Sequence, residues 1–243
     1  MKSRNISIPA LLLSSLLVLS CQAFKDSSGG KEIYYSDAQS SEHAAYNLDG
    51  TELSEAVVTV KKAEAQVYLQ IDDRTTALAL NIREVSFSGK RAIAGFRVIP
   101  DFKSGDFDMA VHVEYLNLVE EGEVVPSSEA QGRSYGADGI DIIDAMGATS
   151  LEDGFLTVHY SAWFGGEQRH RFALVFGKYA DPFEADLCHD SVGDPAAELS
   201  EGIVAFDLSR IPGGAEARSL KVHYLSNTGE LLVKEFVRDL GTD

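Results

Sequence analysis

The 243-residue chain has only two cysteines, Cys21 and Cys188, and a single tryptophan, Trp163. Two cysteines cannot build a disulfide framework, and none forms if Cys21 has another use. Cys188 is then expected as a lone buried thiol. Basic side chains are scarce: 21 Lys and Arg stand against 38 Asp and Glu, a formal net charge of −17. So acidic a surface repels phosphate backbones and anionic headgroups, which argues against nucleic acid as a partner and against direct adsorption to lipid. Long runs of helical period are missing, so the mature chain is expected to be all-β. The apolar run "IPALLLSSLLVLS" (8–20) is too short to span a bilayer as a mature helix.

That run has a different meaning. Lys2 and Arg4 precede it and "VLSC" (18–21) closes it. A basic start and a short apolar stretch read as a signal peptide over residues 1–20. A small residue directly before a cysteine resembles a bacterial lipobox. The chemistry expected there is diacylation of the Cys21 thiol, cleavage before Cys21 and acylation of the new amine. More than one acyl chain gives stable anchoring, which a single chain does not. Residues 21–45, opening "CQAFKDSSGGKE", read as a polar tether. Lys25-Asp26 partly matches the surface-export signal of Bacteroidetes-type lipoproteins. The expected location is the outer membrane, on its periplasmic or its cell-surface face.

Beyond the tether, short alternating runs recur between Gly, Asp and Asn turns. Residues 56–63, 65–73, 76–85, 91–99 and 107–119 give five strands, and a small closed barrel of the OB type is expected over residues 46–122. Residues 140–145, 154–164, 169–177, 202–208, 218–226 and 231–237 give an antiparallel β-sandwich, assigned to residues 123–243 with a linker at 123–139. Gly165-Gly166 between two long alternating runs predicts a hairpin, and "NTGE" (227–230) predicts another. An OB barrel that grips single strands offers a basic groove with stacking aromatics. The 46–122 segment carries 8 basic and 13 acidic side chains and few early aromatics, so it lacks that groove.

Several stretches together carry a family likeness: "YLQIDDRTTALAL" (68–80), "EYLNLVEEG" (114–122), "DGFLTVHYSAWFGGEQRHRFALVF" (153–176), "DLCHDSVGD" (186–194) and "GIVAFDLSRI" (202–211). With the lipoprotein signal, their order and spacing resemble the NigD-like lipoproteins of Bacteroidetes. The resemblance implies an OB-like domain followed by a β-sandwich in the cell envelope. It brings no catalytic residues, and the family's name derives from a bacteriocin locus. One departure is visible: Arg74 stands after Asp72-Asp73 where the family tends to have a turn glycine.

Four candidate sites remain. Gly132, Ser134 and Gly136 spell the G-x-S-x-G of a nucleophile elbow, which needs a strand before the serine and a helix after it. The polar "VVPSSEAQ" upstream and the strand-like Ile140, Ile142 and Ile143 downstream favour a linker instead. If Gly165-Gly166 were a two-residue loop, Ser161 would face His170, and His159 would share a face with it. A two-histidine metal site would need a third ligand, and none has recognisable spacing. Asp138, Asp141 and Asp144 recur every third residue, and Asp181, Glu184, Asp186, Asp190 and Asp194 crowd one loop. Neither stretch follows a calcium-loop order, so solvated turns are expected, with the 181–194 loop as a weak calcium candidate. Finally, Tyr160, Trp163 and Phe164 form a candidate binding surface within an aromatic cluster that also holds Phe155, Phe172 and Phe176. The reading is a non-catalytic binding or structural module for a protein or glycan partner, with no cofactor and no metal. A bacteriocin-associated accessory or protection role and a Ser134 hydrolase are the alternatives.

Overall fold

A computed structural model describes residues 48, 51–130, 134–144, 148–166 and 168–240. The signal, Cys21 and the tether lie outside these residues. The first strands are β1 (Leu53–Ala63), β2 (Gln66–Gln70), β3 (Thr76–Ala79), β4 (Lys90–Val98) and β5 (Met109–Leu118). They close into a barrel in the order β1-β2-β3-β5-β4, with β3 and β5 parallel. Alternation turns Val58, Val60, Val67, Leu69, Val111 and Val113 inward onto an apolar core. The turn at Arg74 needs no glycine. The Asp72 carboxylate accepts the Arg74 and Thr75 amides at 2.8 Å each, and Ile71 N–H closes on Thr75 O at 2.9 Å. A glycine is required at position 95, where β4 and β5 slip register: a Cβ there would lie 2.2 Å from the Tyr115 ring.

The chain leaves the barrel through β6 (Glu120–Glu121) and β7 (Glu123–Pro126). These two short strands join opposite sheets of the sandwich. One sheet runs β6, β13 (Glu198–Asp207), β10 (Phe155–Phe164) and β8 (Asp141–Ile142), with β9 (Ser150–Glu152) also on β10. The other runs β15 (Leu231–Val237), β14 (Ser219–Leu225), β12 (Glu184–Asp190), β11 (Arg171–Phe176) and β7. The expected linker over 123–139 is therefore corrected at its start, because Glu123–Pro126 is an edge strand parallel to β11. The long pairings are antiparallel, and the short β6–β13, β7–β11 and β12–β14 pairings are parallel. Between the sheets pack Leu156, Val158, Leu174, Leu187, Phe206 and Phe236.

The Gly165-Gly166 hairpin does not form. β10 pairs with β13 along all ten of its residues, and β8 and β9 take its other edge. β11 instead lies in the opposite sheet, between β12 and β7. The "NTGE" hairpin does form: β14 and β15 pair over seven residues, closed by Ser226 N–H to Glu230 O at 2.8 Å. Glu184–Asp190, assigned above to an acidic loop, is strand β12, with Ala185, Leu187 and His189 turned inward.

Barrel and sandwich share a packed junction. Val57 and Ile93 of the barrel meet Phe155, Ile203 and Ala205 of the sandwich. Arg91, only 1% exposed, reaches Glu152 at 2.7 Å and Thr59 at 3.2 Å. Asp73 receives two hydrogen bonds from Arg238, at 2.5 and 2.6 Å, and the Asp153 amide at 2.8 Å.

Candidate functional site

The end of the sandwich where β10 finishes and β13 begins is closed by residues 134–140, 165–166, 168–170, 191–197 and 226–230. We call it the tip. The candidate surface residues separate there. Tyr160 points inward from β10, is 4% exposed and packs on Phe172 at 4.7 Å, so its place on a binding surface is corrected to the core. Burial pushes its phenol well above the ordinary range. Phe164 is half-buried and stacks on His170 with ring centroids 4.1 Å apart. Trp163 points the other way, 42% exposed, and its cross-strand neighbour Leu199 is 50% exposed. Two large apolar side chains thus stand together on the outer face, with Glu198 and Glu201 beside Leu199 on β13.

Beneath this surface lies a buried polar chain. His170 Nδ1 is 2.8 Å from His189 Nε2, and His170 Nε2 is 3.3 Å from Asp194 Oδ2. His189 Nδ1 donates to the Gly139 carbonyl at 3.0 Å, and Asp194 Oδ2 accepts the Gly165 amide at 2.7 Å. Both rings are sandwiched by aromatics, since His189 stacks on Phe172 at 5.0 Å. The side chains of His170 and Asp194 are 1% and 0% exposed. The Gly165 amide, together with Gly166 and His170, holds the Asp194 carboxyl below the usual carboxylate range despite its burial. Burial holds the His189 imidazole below its own usual range. The adjoining turn is tightly pinned: Ser191 and Val192 amides donate to Asp138 and Asp190 at 2.7 and 2.8 Å. Val192 is held at φ 56, a left-handed conformation that a β-branched residue rarely adopts.

The other candidates come apart. His159 and His170 do not share a face: His159 is on β10, and His170 precedes β11, which belongs to the other sheet. His159 turns away from the sandwich core and its Nε2 lies 2.9 Å from Glu201. Ser161 faces Glu201 and Asp141, not His170. Ser134 is exposed on an irregular segment with no helix after it, and its hydroxyl accepts only a long 3.4 Å contact from Gly136 N–H among the described residues. The acids of 181–194 are engaged by protein partners: Asp181 by Phe183 N–H, Glu184 by His223, Asp186 by Lys178 and Tyr179, and Asp190 by Arg171. Among the described residues, no group of three or more His, Cys, Asp or Glu side chains is placed to hold a metal ion. Burial pushes the free Cys188 thiol up to about 11, away from nucleophilic use at neutral pH. A cleft of about 220 Å³ at the junction is lined by Asp72, Asp73, Arg74, Glu152 and Asp239. Its carboxylates, too, are bound by neighbouring protein groups. Sequence reasoning missed His189 and Leu199; the alternation of "EADLCHD" was the available signal for the first.

A five-stranded OB-like barrel joined to a two-sheet sandwich, with a polar core at the sandwich's far end, defines the class. Residues 123–236 match the NigD-like C-terminal β-sandwich domain. Solved structures share the fold. A protein provisionally named toxin-related from Parabacteroides distasonis is 22% identical, with a TM-score of 0.62 over 77% of this chain and 95% of that one. A protein provisionally named a lipoprotein from Bacteroides fragilis is 11% identical, with a TM-score of 0.58 over 79% of this chain and 100% of that one. A NigD-like immunity protein from Bacteroides caccae is 15% identical, with a TM-score of 0.52 over 76% and 98%. A comparison with curated proteins gives no match.

Proposed function

We propose that this chain is an outer-membrane lipoprotein anchored through Cys21, and that it acts as a non-catalytic binding module of the immunity type for a protein partner. The observation that carries the reading is the exposed Trp163–Leu199 pair at the tip. An exposed tryptophan offers large apolar area at low entropic cost, the usual make-up of a contact anchor. The chemistry of the partner follows from charge: the chain carries −17, with Glu198 and Glu201 beside the pair. A basic polypeptide presenting an apolar side chain is complementary to such a surface. The names of the immunity and lipoprotein neighbours support the same reading, as does the lipobox-like "VLSC". Among the described residues no helix is long and apolar enough to cross a membrane.

The test uses the producing bacterium. Cells lacking the chain should become sensitive to a basic protein toxin released by neighbouring cells. The wild-type gene should restore resistance, while Trp163→Ala and Cys21→Ser should not, with Trp163→Ala keeping its melting temperature. Full protection by Trp163→Ala overturns the tip as the contact, and undiminished resistance without the chain overturns the immunity reading. Protease treatment of intact cells then separates the two membrane faces, since only a surface-exposed chain is degraded.

A further inference from the structure

We infer that the Asp194–His170–His189 chain is a buried proton-binding site, in which one proton beyond those of two neutral imidazoles resides on His170 and fastens the tip. The reasoning is a count of donors. Gly139 O, at one end, can only accept, so His189 Nδ1 donates to it. His189 Nε2 lies 2.8 Å from His170 Nδ1, and one of these two nitrogens must donate to the other. At the other end His170 Nε2 faces Asp194 Oδ2 at 3.3 Å. Three contacts need three N–H or O–H groups, and two neutral imidazoles supply two.

The third proton has three possible seats. Asp194 is disfavoured, because the same Oδ2 accepts the Gly165 amide and backbone hydrogen bonds favour its ionised form. His189 is disfavoured because its ring faces the neutral Gly139 carbonyl, whereas His170 Nε2 faces the Asp194 carboxylate. His170 remains, as an imidazolium beside a carboxylate in a site closed to solvent. The charged groups facing the two rings are consistent with a cation there: Asp194 from the loop, Asp138 from the joint, and Asp190 from the end of β12, which is itself paired with Arg171. Stacking of Phe164 on His170 adds a π face to the same cation.

Four segments meet on this proton: the segment just before β11 through His170, β12 through His189, the 134–140 joint through Gly139 and the 191–197 loop through Asp194. Gly165, next but one to Trp163, is tied to the same carboxylate. The sign of the pH dependence follows. Unfolded imidazoles lose their proton near pH 6.5. The folded cluster keeps one proton above that pH, so unfolding releases it and stability falls as the pH rises. The inference stands whether or not the tip binds a partner.

The experiment uses the purified mature chain. Long-range ¹H–¹⁵N spectra at pH 7.5 should show both His170 ring nitrogens protonated and His189 as the Nδ1–H tautomer. A neutral His170 ring at pH 7.5 overturns the inference. Asp194→Asn supplies the second arm, because its amide oxygen keeps the Gly165 contact while the negative charge that faces the His170 proton is removed. The unfolding constant of the wild type should rise by about tenfold per pH unit above pH 7, relative to that variant, for one retained proton. Parallel pH profiles for the two proteins also overturn it. Should Asp194→Asn fail to fold, the wild-type spectrum decides alone.

Discussion

The barrel and the sandwich are both built from short alternating strands, yet they differ in what they bury. The barrel core is apolar, and its buried polar side chains, Thr59 and Arg91, are both at the junction with the sandwich. The sandwich buries Thr157, His159, Ser161, His170, His189, Asp194 and Ser226. A domain that needed only stability would gain little from such groups, since each must be matched by a partner or cost free energy. The barrel is thus a conventionally packed support. The sandwich carries a polar tip whose hydrogen bonds are specific and whose outer surface is apolar.

The strongest way to break this contrast is at the junction. Arg91→Met should cost about 3–5 kcal/mol, because it leaves the Glu152 carboxylate, already raised by burial and eased by Arg91, without its cation. Urea unfolding followed by far-UV circular dichroism and by Trp163 fluorescence should show coincident transitions in the wild type, because both regions share the junction. Separate transitions would mean that the barrel and the sandwich are independent. Next in size, Tyr160→Ala should cost about 3 kcal/mol as a core aromatic lost from the sandwich. A cost below about 1 kcal/mol would return Tyr160 to the surface.

A smaller effect separates the two ends of the sandwich by pH. Burial alone would raise the Asp73 carboxyl, but Arg238 and the Asp153 amide outweigh it and hold it below its usual range. Its contribution is therefore full above the unfolded value near pH 3.9 and is lost as the pH falls through the lower folded one. Asp73→Asn should flatten the acid limb of the stability profile, read by urea unfolding between about pH 2 and pH 6. The tip behaves oppositely and weakens on the alkaline side. The smallest expected effect is Trp163→Ala, within about 0.5 kcal/mol of wild type because the ring is largely outside the core. A loss of several kcal/mol there would make Trp163 structural and remove the proposed contact.

The strand content was legible where alternation was regular. β15 lies at residues 231–237, where its pattern put it, and the barrel strands lie within the runs read for them or within a few residues. Arg74 looked like an irregularity because a turn without glycine seemed to want one, whereas an Asp72 side chain closes that turn. β12 was hidden because its outward row, Glu184, Asp186 and Asp190, resembles a solvated loop. The candidate site was half legible. Trp163 stood out by composition, but Tyr160 and Phe164 were on the same alternating run and only their facing decided their roles.

By itself the sequence determined the period of the strands, the acidity of the surface and the order of barrel and sandwich, because alternation and composition are local properties. Which strands become neighbours is not local. The Gly165-Gly166 segment could have closed a hairpin, but β10 takes β13, β8 and β9 as its partners and β11 joins the other sheet. The same crossing carried His170 away from His159 and set it between His189 and Asp194, residues 19 and 24 positions further along. The chemistry of the tip was decided there, by competition among strands for edges that no short stretch of sequence records.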